Sequence, residues 1–193
     1  MAPASEPDSR PNPWGDSQFH LTADELCSRF EALPNLPTDS TTLGLIVLRR
    51  PEGVRGTPDQ VEVNPNEGLV GDRWSVGKHG TDDQITIMRG DIGELVANGQ
   101  DQSLFGDNLL MNLDLSQENL PAGTRLAIGD ALTEVTVKPH TGCSQYVQRF
   151  GRSALRLVNG KEFRHLRLRG LHVRVIRAGV IHVGDPVEVQ RPN

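Results

Sequence analysis

Leu126-Ala-Ile-Gly-Asp-Ala-Leu-Thr-Glu-Val-Thr-Val137 reads as two short apolar runs joined by a Gly-Asp turn, and it leads directly into Lys138-Pro-His-Thr-Gly-Cys143. Glycine supplies the positive φ of a tight turn, and aspartate bonds back to its own backbone. The same theme returns at Val183-Gly-Asp-Pro186, which opens the run Pro186–Gln190. The two runs are read as strands over Arg125–Ile128 and Leu132–Val137, and working outward, further short runs bounded by Gly, Pro, Asn and Asp read as strands: Leu43–Leu48, Gln60–Val63, Gln84–Met88, Asn108–Asn112 and His172–Ala178. Helical signals are sparser. Thr22-Ala-Asp-Glu25 is a capping-box pattern, followed by Leu26, Phe30 and Leu33 at helical spacing, and predicts a helix over 23–32 ended by Pro34. Asp91–Ala97, stopped by Asn98-Gly99, and Ser144–Phe150, stopped by Gly151, are two more. Many short strands with few short helices predict a mainly β fold, a β-barrel or a related β-rich form.

The 193 residues are enough for one good core. Residues 1–16, rich in Pro, Ser and Asp, are expected to be disordered. Residues 1–42 form an N-terminal extension with one short helix, ahead of a main domain over 43–190. The N-terminal stretch lacks a basic region followed by an apolar run, and no apolar run approaches a membrane span. A cytoplasmic protein with reduced thiols and no membrane partner is expected. The formal charge is −5, from 20 Lys+Arg against 25 Asp+Glu, which argues against nucleic acid as a partner. Basic residues are nonetheless concentrated between Arg149 and Arg177, where Glu162 is the only acid. That stretch reads either as a solvated face or as a local anion-binding surface.

Cys27 and Cys143 are the two cysteines, too few for a disulfide framework although one bridge is allowed. Cys143 sits at the end of a strand-like run with Lys138, His140 and Arg149 close in sequence. A thiol so placed can be a nucleophile, a persulfide carrier, a soft metal ligand or an inert small hydrophobe. The first three need the thiolate, which nearby cations favour. His140-x-x-Cys143 has zinc-like spacing, but His165, His172 and His182 supply no second close pair for a structural site. The serine-hydrolase elbow, the dinucleotide fingerprint and the P-loop are all absent. His79, in a polar loop before a strand, is a candidate base or ligand. Asn108, in Phe105-Gly-Asp-Asn-Leu109, either meets a ligand or ties down its turn.

Taken in order, these blocks resemble a known family. They are Glu67-Gly-Leu-Val-Gly-Asp-Arg73, Gln84-Ile-Thr-Ile87, Phe105-Gly-Asp-Asn-Leu109, Leu126-Ala-Ile-Gly-Asp130, Lys138–Gly151, Arg169-Gly-Leu-His-Val-Arg-Val175 and Gly179–Val189. Together they are similar to the MOSC domain, named for the C-terminal region of molybdenum cofactor sulfurase, over roughly residues 43–190. The resemblance implies a barrel-like fold in which Cys143 matches the family's cysteine. It further implies that Cys143 ligates the molybdenum of a bound molybdopterin cofactor, as in amidoxime-reducing relatives that act on N-hydroxylated compounds. Arg73, Asn108, Lys138 and Arg149 are then the expected cofactor contacts, and His140 or His79 the expected proton donor. A small-molecule substrate and an external electron-donor protein follow for a reductase. A homodimer is one way to complete the wall that a second domain provides in the larger relatives. A persulfide sulfur carrier and a non-enzymatic cofactor-binding module are the alternatives. Lys138-Pro-His-Thr-Gly-Cys143 departs from the Pro-Arg-x-Pro-Cys common in the family: the arginine of that pattern is missing here.

Overall fold

The computed structural model describes residues 12–77 and 80–191. Seven strands close into a barrel: β1 (Ser40–Ile46), β2 (Ile85–Arg89), β3 (Leu109–Met111), β4 (Arg125–Ile128), β5 (Ala131–Val135), β6 (Leu171–Arg177) and β7 (Pro186–Gln190). Around the barrel the order is β1, β7, β4, β5, β6, β2, β3 and back to β1. Every neighbouring pair is antiparallel except β2 and β3. Closure removes the exposed edges that an open sheet of this size would carry. A three-stranded sheet of Gly179–His182, Gln60–Asn64 and Gly68–Leu69 lies alongside, with a two-stranded ribbon of Leu48–Arg49 and Arg55–Gly56.

Strand alternation separates two cores. Ile85 and Ile87 of β2, with Leu109 and Met111 of β3, join Val173 and Val187 in one cluster, the barrel interior. Met88 and Leu110, the alternate residues, belong instead to a second cluster with the helices. Three helices cover that outer face: α1 (Ala23–Glu31), α2 (Gly90–Ala97) and α3 (Ser144–Asn159). The capping box expected at Thr22 and Glu25 is formed, with the Thr22 side chain accepting from the Glu25 N–H. Leu26 is the residue that α1 buries.

Two expectations need correction. The fold is mixed α/β, a closed barrel with a helical layer, rather than mainly β with a few short helices. The main reason is α3. Gly151 does break the helix, with φ 87° and ψ 166°, but a second helical segment resumes at once and runs to Asn159. Ala154, Leu157 and Val158 are buried at helical spacing on that segment, so packing against the outer core holds it. The His20 ring lies against the break, and its Nε2 bonds the Arg149 carbonyl at 3.1 Å. The second correction concerns residues 12–16, part of the stretch expected to be disordered. Asp16 N–H donates to Gln100 Oε1 at 2.8 Å, and the Pro13 carbonyl accepts from Arg149 Nε at 3.0 Å. Residues 1–11 lie outside the described residues. No helix among the described residues is long and apolar enough to cross a membrane.

Candidate functional site

Cys143 is the N-cap residue of α3, and its thiol is exposed. It sits at the end of the loop that leaves β5, because strand pairing stops at Val135 rather than Val137. Asn159, the last residue of α3, ties down this loop. Its Oδ1 accepts from the Gly142 N–H at 3.0 Å, and its Nδ2 donates to the Gly142 carbonyl at 3.4 Å. Cys27 is also free and exposed, on α1, so no disulfide forms. Among the described residues no cluster of three His, Cys, Asp or Glu could hold a metal.

The thiol opens on a pocket of about 140 Å³. Five arginines line it, Arg49, Arg55, Arg73, Arg149 and Arg169, and no carboxylate does. They arrive from different parts of the chain. Arg49 ends the strand Leu48–Arg49, Arg55 begins its hairpin partner, and Arg73 follows the Gly-Asp turn at 71–72. Arg149 comes from α3, and Arg169 immediately precedes the turn into β6.

Buried carboxylates behind the wall hold two of the five. Asp72 grips Arg49 in a bidentate pair, with Nη2 to Oδ2 at 2.6 Å and Nε to Oδ1 at 3.1 Å, and also accepts from the Arg49 N–H. Burial pushes the Asp72 carboxyl up, but its bonds to Arg49 outweigh that and hold it below the usual range. Asp107 pairs with the Arg169 guanidinium, which also lies 5.2 Å over the Tyr146 ring. Burial raises the Asp107 carboxyl in spite of that partner. The other three arginines have no carboxylate partner among the described residues. Arg149 spends its hydrogen bonds on the carbonyls of Pro13 and Leu104, which leaves its charge uncompensated. Burial, with Arg149, Arg73 and Arg49 nearby, lowers Arg55 to about 10. Nε of Arg55 and Nε of Arg169 are buried without a hydrogen-bond partner. An arrangement of this kind attracts an anion that can take up unspent guanidinium hydrogens.

The expected site residues are distributed unevenly. Arg73 and Arg149 stand with Cys143 on the pocket wall. His140 is there too, on the loop before the cysteine. Its Nδ1 lies 3.5 Å from Asp107 Oδ1, and its ring is 4.6 Å from that of His172. Burial, followed by Arg169, His172 and Arg49, pushes the imidazole well below its ordinary value, so it is neutral near pH 7. Lys138 does not reach this pocket. It pairs with Asp83 and lines a separate cavity on the far side of the loop. Asn108 is fully buried and fully used. It accepts from Thr86 N–H and Oγ1 at 3.1 and 3.2 Å, and donates to the Val47 carbonyl and Asp72 Oδ1 at 3.1 and 3.3 Å. It therefore ties down the turn and braces Asp72, with no polar capacity left for a ligand. His79 lies outside the described residues.

Sequence reasoning missed Arg49, Arg55, Tyr146 and Arg169 as site residues, and did not link Asp107 to Arg169. Tyr146 packs beside the stacked rings of Phe105 and Phe150, and its buried hydroxyl has no partner. Burial pushes that phenol up, so it keeps its proton. The one signal present was that both halves of the Asp107–Arg169 pair fall within blocks flanked by glycine.

A model of the MOSC domain matches residues 87–188, more than half of the chain. The chain belongs to the MOSC domain family. No curated protein is similar enough in sequence to stand as a relative. Solved structures agree in fold. The YUAD protein from Bacillus subtilis superposes with a TM-score of 0.58 at 18% identity, covering 80% of this chain and 97% of that one. YiiM from Escherichia coli gives 0.52 at 19% identity, over 79% of this chain and 71% of that one. YiiM from Geobacillus stearothermophilus gives 0.53 at 21%, over 78% and 75%. The MOSC match begins inside β2 and ends inside β7, so it takes in the cysteine loop, α3 and Arg169 but leaves Arg49, Arg55 and Arg73 outside.

Proposed function

We propose that this MOSC protein holds a molybdenum cofactor through Cys143 and reduces N-hydroxylated small molecules. The observation that carries this reading is an exposed thiol on a pocket with five arginines and no carboxylate in its wall. The donor set suits the group. Sulfur is a soft ligand appropriate to molybdenum, and guanidinium forks match a phosphate. The buried, unpartnered Nε atoms of Arg55 and Arg169 are donors in want of an acceptor. At about 140 Å³ the pocket is small beside the roughly 300–1,000 Å³ usual for organic ligands, so it encloses only part of a pterin.

When bound, the cofactor supplies two-electron chemistry, with electrons delivered by an external donor protein. The chain's own residues bind and orient. Arg55, Arg73 and Arg149 hold the anionic end. Asp72 and Asp107 keep Arg49 and Arg169 aimed without themselves lining the wall. His140, being neutral, accepts a hydrogen bond at neutral pH rather than donating as imidazolium. The buried Tyr146 hydroxyl, which has no partner, is a neutral donor on the pocket wall. The small enclosed volume and exposed thiol also suit a persulfide carrier, or a module that binds the cofactor without turnover.

The test is molybdenum per chain after expression in a host that makes the cofactor, for the native protein and Cys143→Ser. Near-stoichiometric metal that is lost in the variant is the expected result, followed by reduction of an amidoxime with a suitable electron donor. Equal metal in both proteins would refute the thiolate ligand. Metal in neither, with an added sulfur on Cys143 by mass spectrometry, would favour the carrier.

A further inference from the structure

The loop that carries Cys143 has a second cavity behind it. This chamber holds about 360 Å³, lies between the barrel rim and the end of α3, and shares His140, Thr141 and Arg169 with the cysteine pocket. That volume is within the range of small organic ligands. Its basic residues are Lys138, Arg164, Arg167 and Arg169, and no carboxylate lines it. Lys138 and Arg169 are each offset by a carboxylate, Asp83 and Asp107. Arg167 is not. Its Nη1 donates only to the carbonyls of Leu120, at 2.6 Å, and Leu115, at 3.4 Å. Arg164 is exposed and has no ion pair among the described residues. Two positive charges thus remain uncompensated around the chamber. The Arg169 side chain is 9% exposed and its Nε has no partner. The rest of the lining includes an apolar strip of Val137, Val158 and Leu171. Val137 is 81% exposed, so its side chain has apolar surface that a ligand could cover.

We propose that this chamber is a second binding site, for a small organic anion with an oxyanion head and an apolar body. Arg164 and Arg167 take the head, by charge-assisted hydrogen bonds. Val137 takes the body, which removes its exposed surface from water. The wall shared with the cysteine pocket would bring such a ligand up to His140 and Arg169 from the side opposite Cys143. The inference needs neither the thiol nor a cofactor, so it stands or falls separately from the proposed activity.

The test is calorimetric titration of the full chain with phenyl phosphate and with benzoate, which separate the two head groups, beside benzamide and inorganic phosphate. At least one aryl anion is expected to saturate, and to bind more tightly than either benzamide or inorganic phosphate. Arg164→Ala should weaken it about tenfold, and Val137→Ser about threefold. Both side chains are exposed, so neither change endangers the fold. Arg73→Ala, in the cysteine pocket alone, should leave the affinity unchanged. Loss of binding with Arg73→Ala and not with Arg164→Ala would place the ligand in the cysteine pocket and overturn the proposal. So would equal affinity for benzamide, equal affinity for inorganic phosphate, or no saturation by either aryl anion at millimolar concentration.

Discussion

Gly170 is the residue on which the site and the barrel depend together, and Gly170→Ala separates two sources of strain. Its φ is +99°, a conformation that an L side chain resists. An added Cβ would overlap the carbonyl oxygen of Ile87, and would lie 3.1 Å from the Ile87 carbonyl carbon and 3.3 Å from His140 Nδ1. Ile87 cannot simply withdraw, because it pairs with Leu171 in the β2–β6 ladder. The backbone strain costs about 1–3 kcal/mol. Overpacking against a fixed backbone adds about 1–3 kcal/mol more. Gly71→Ala is the matched control: φ is +83° there, and nothing lies within 4 Å of the added Cβ. Urea unfolding of the native protein and both variants reads the difference as a shift in midpoint at unchanged slope. Gly170→Ala should lose the strain and the overlap, Gly71→Ala the strain alone. Equal losses in the two variants would show that the Ile87 carbonyl does yield, and the account of Gly170 as a packing necessity would fail.

Two further outcomes follow from the same geometry. His140 and His172 are both held below their ordinary values, chiefly by burial, so the folded state binds fewer protons than the unfolded chain between those lowered values and about 6.5. Stability is then present above about pH 6.5 and is lost as pH falls through that window, at up to about 1.4 kcal/mol per pH unit for each histidine. Urea midpoints that stay flat from about pH 7.5 to pH 5 would contradict the burial of these rings. Asn159→Ala removes the tether on Gly142, worth about 1 kcal/mol, and should speed alkylation of Cys143 by iodoacetamide about fivefold. An unchanged rate would mean that the cysteine loop holds its position without Asn159.

Much of the barrel was legible because its signals are local. Arg125–Ile128 and Pro186–Gln190 are strands with the bounds that alternation and the Gly-Asp turns predicted. The others shift by a residue or two at their ends, and Leu43–Leu48 divides into the end of β1 and a separate short strand. The helix at 144 was underestimated because Gly151 carries a stop signal that the chain obeys for a single residue. The Ala154, Leu157 and Val158 spacing beyond it was the competing sign, and burial against the outer core decides in its favour. Asn108 shows a different limit. Its place in a glycine turn was visible, but whether it faces a ligand or the interior depended on where Val47, Thr86 and Asp72 would lie. Lys138 and Cys143 are five positions apart, and the loop between them sends one into each cavity.

By itself the sequence determined the strands, the turns, the capped first helix and a cysteine on a loop before a helix, since these rest on patterns spanning a few residues. The tertiary structure alone decided that Arg49, Arg55 and Arg169 join Arg73 and Arg149 at that cysteine. It also decided that Asp72 and Asp107 stand behind two of them. Convergence of side chains so far apart is a property of barrel closure and strand register, which no local pattern encodes. The low net charge of the chain gave no hint of it. In the folded protein burial and pairing spend these acids behind the wall, and five guanidinium groups face the cysteine pocket.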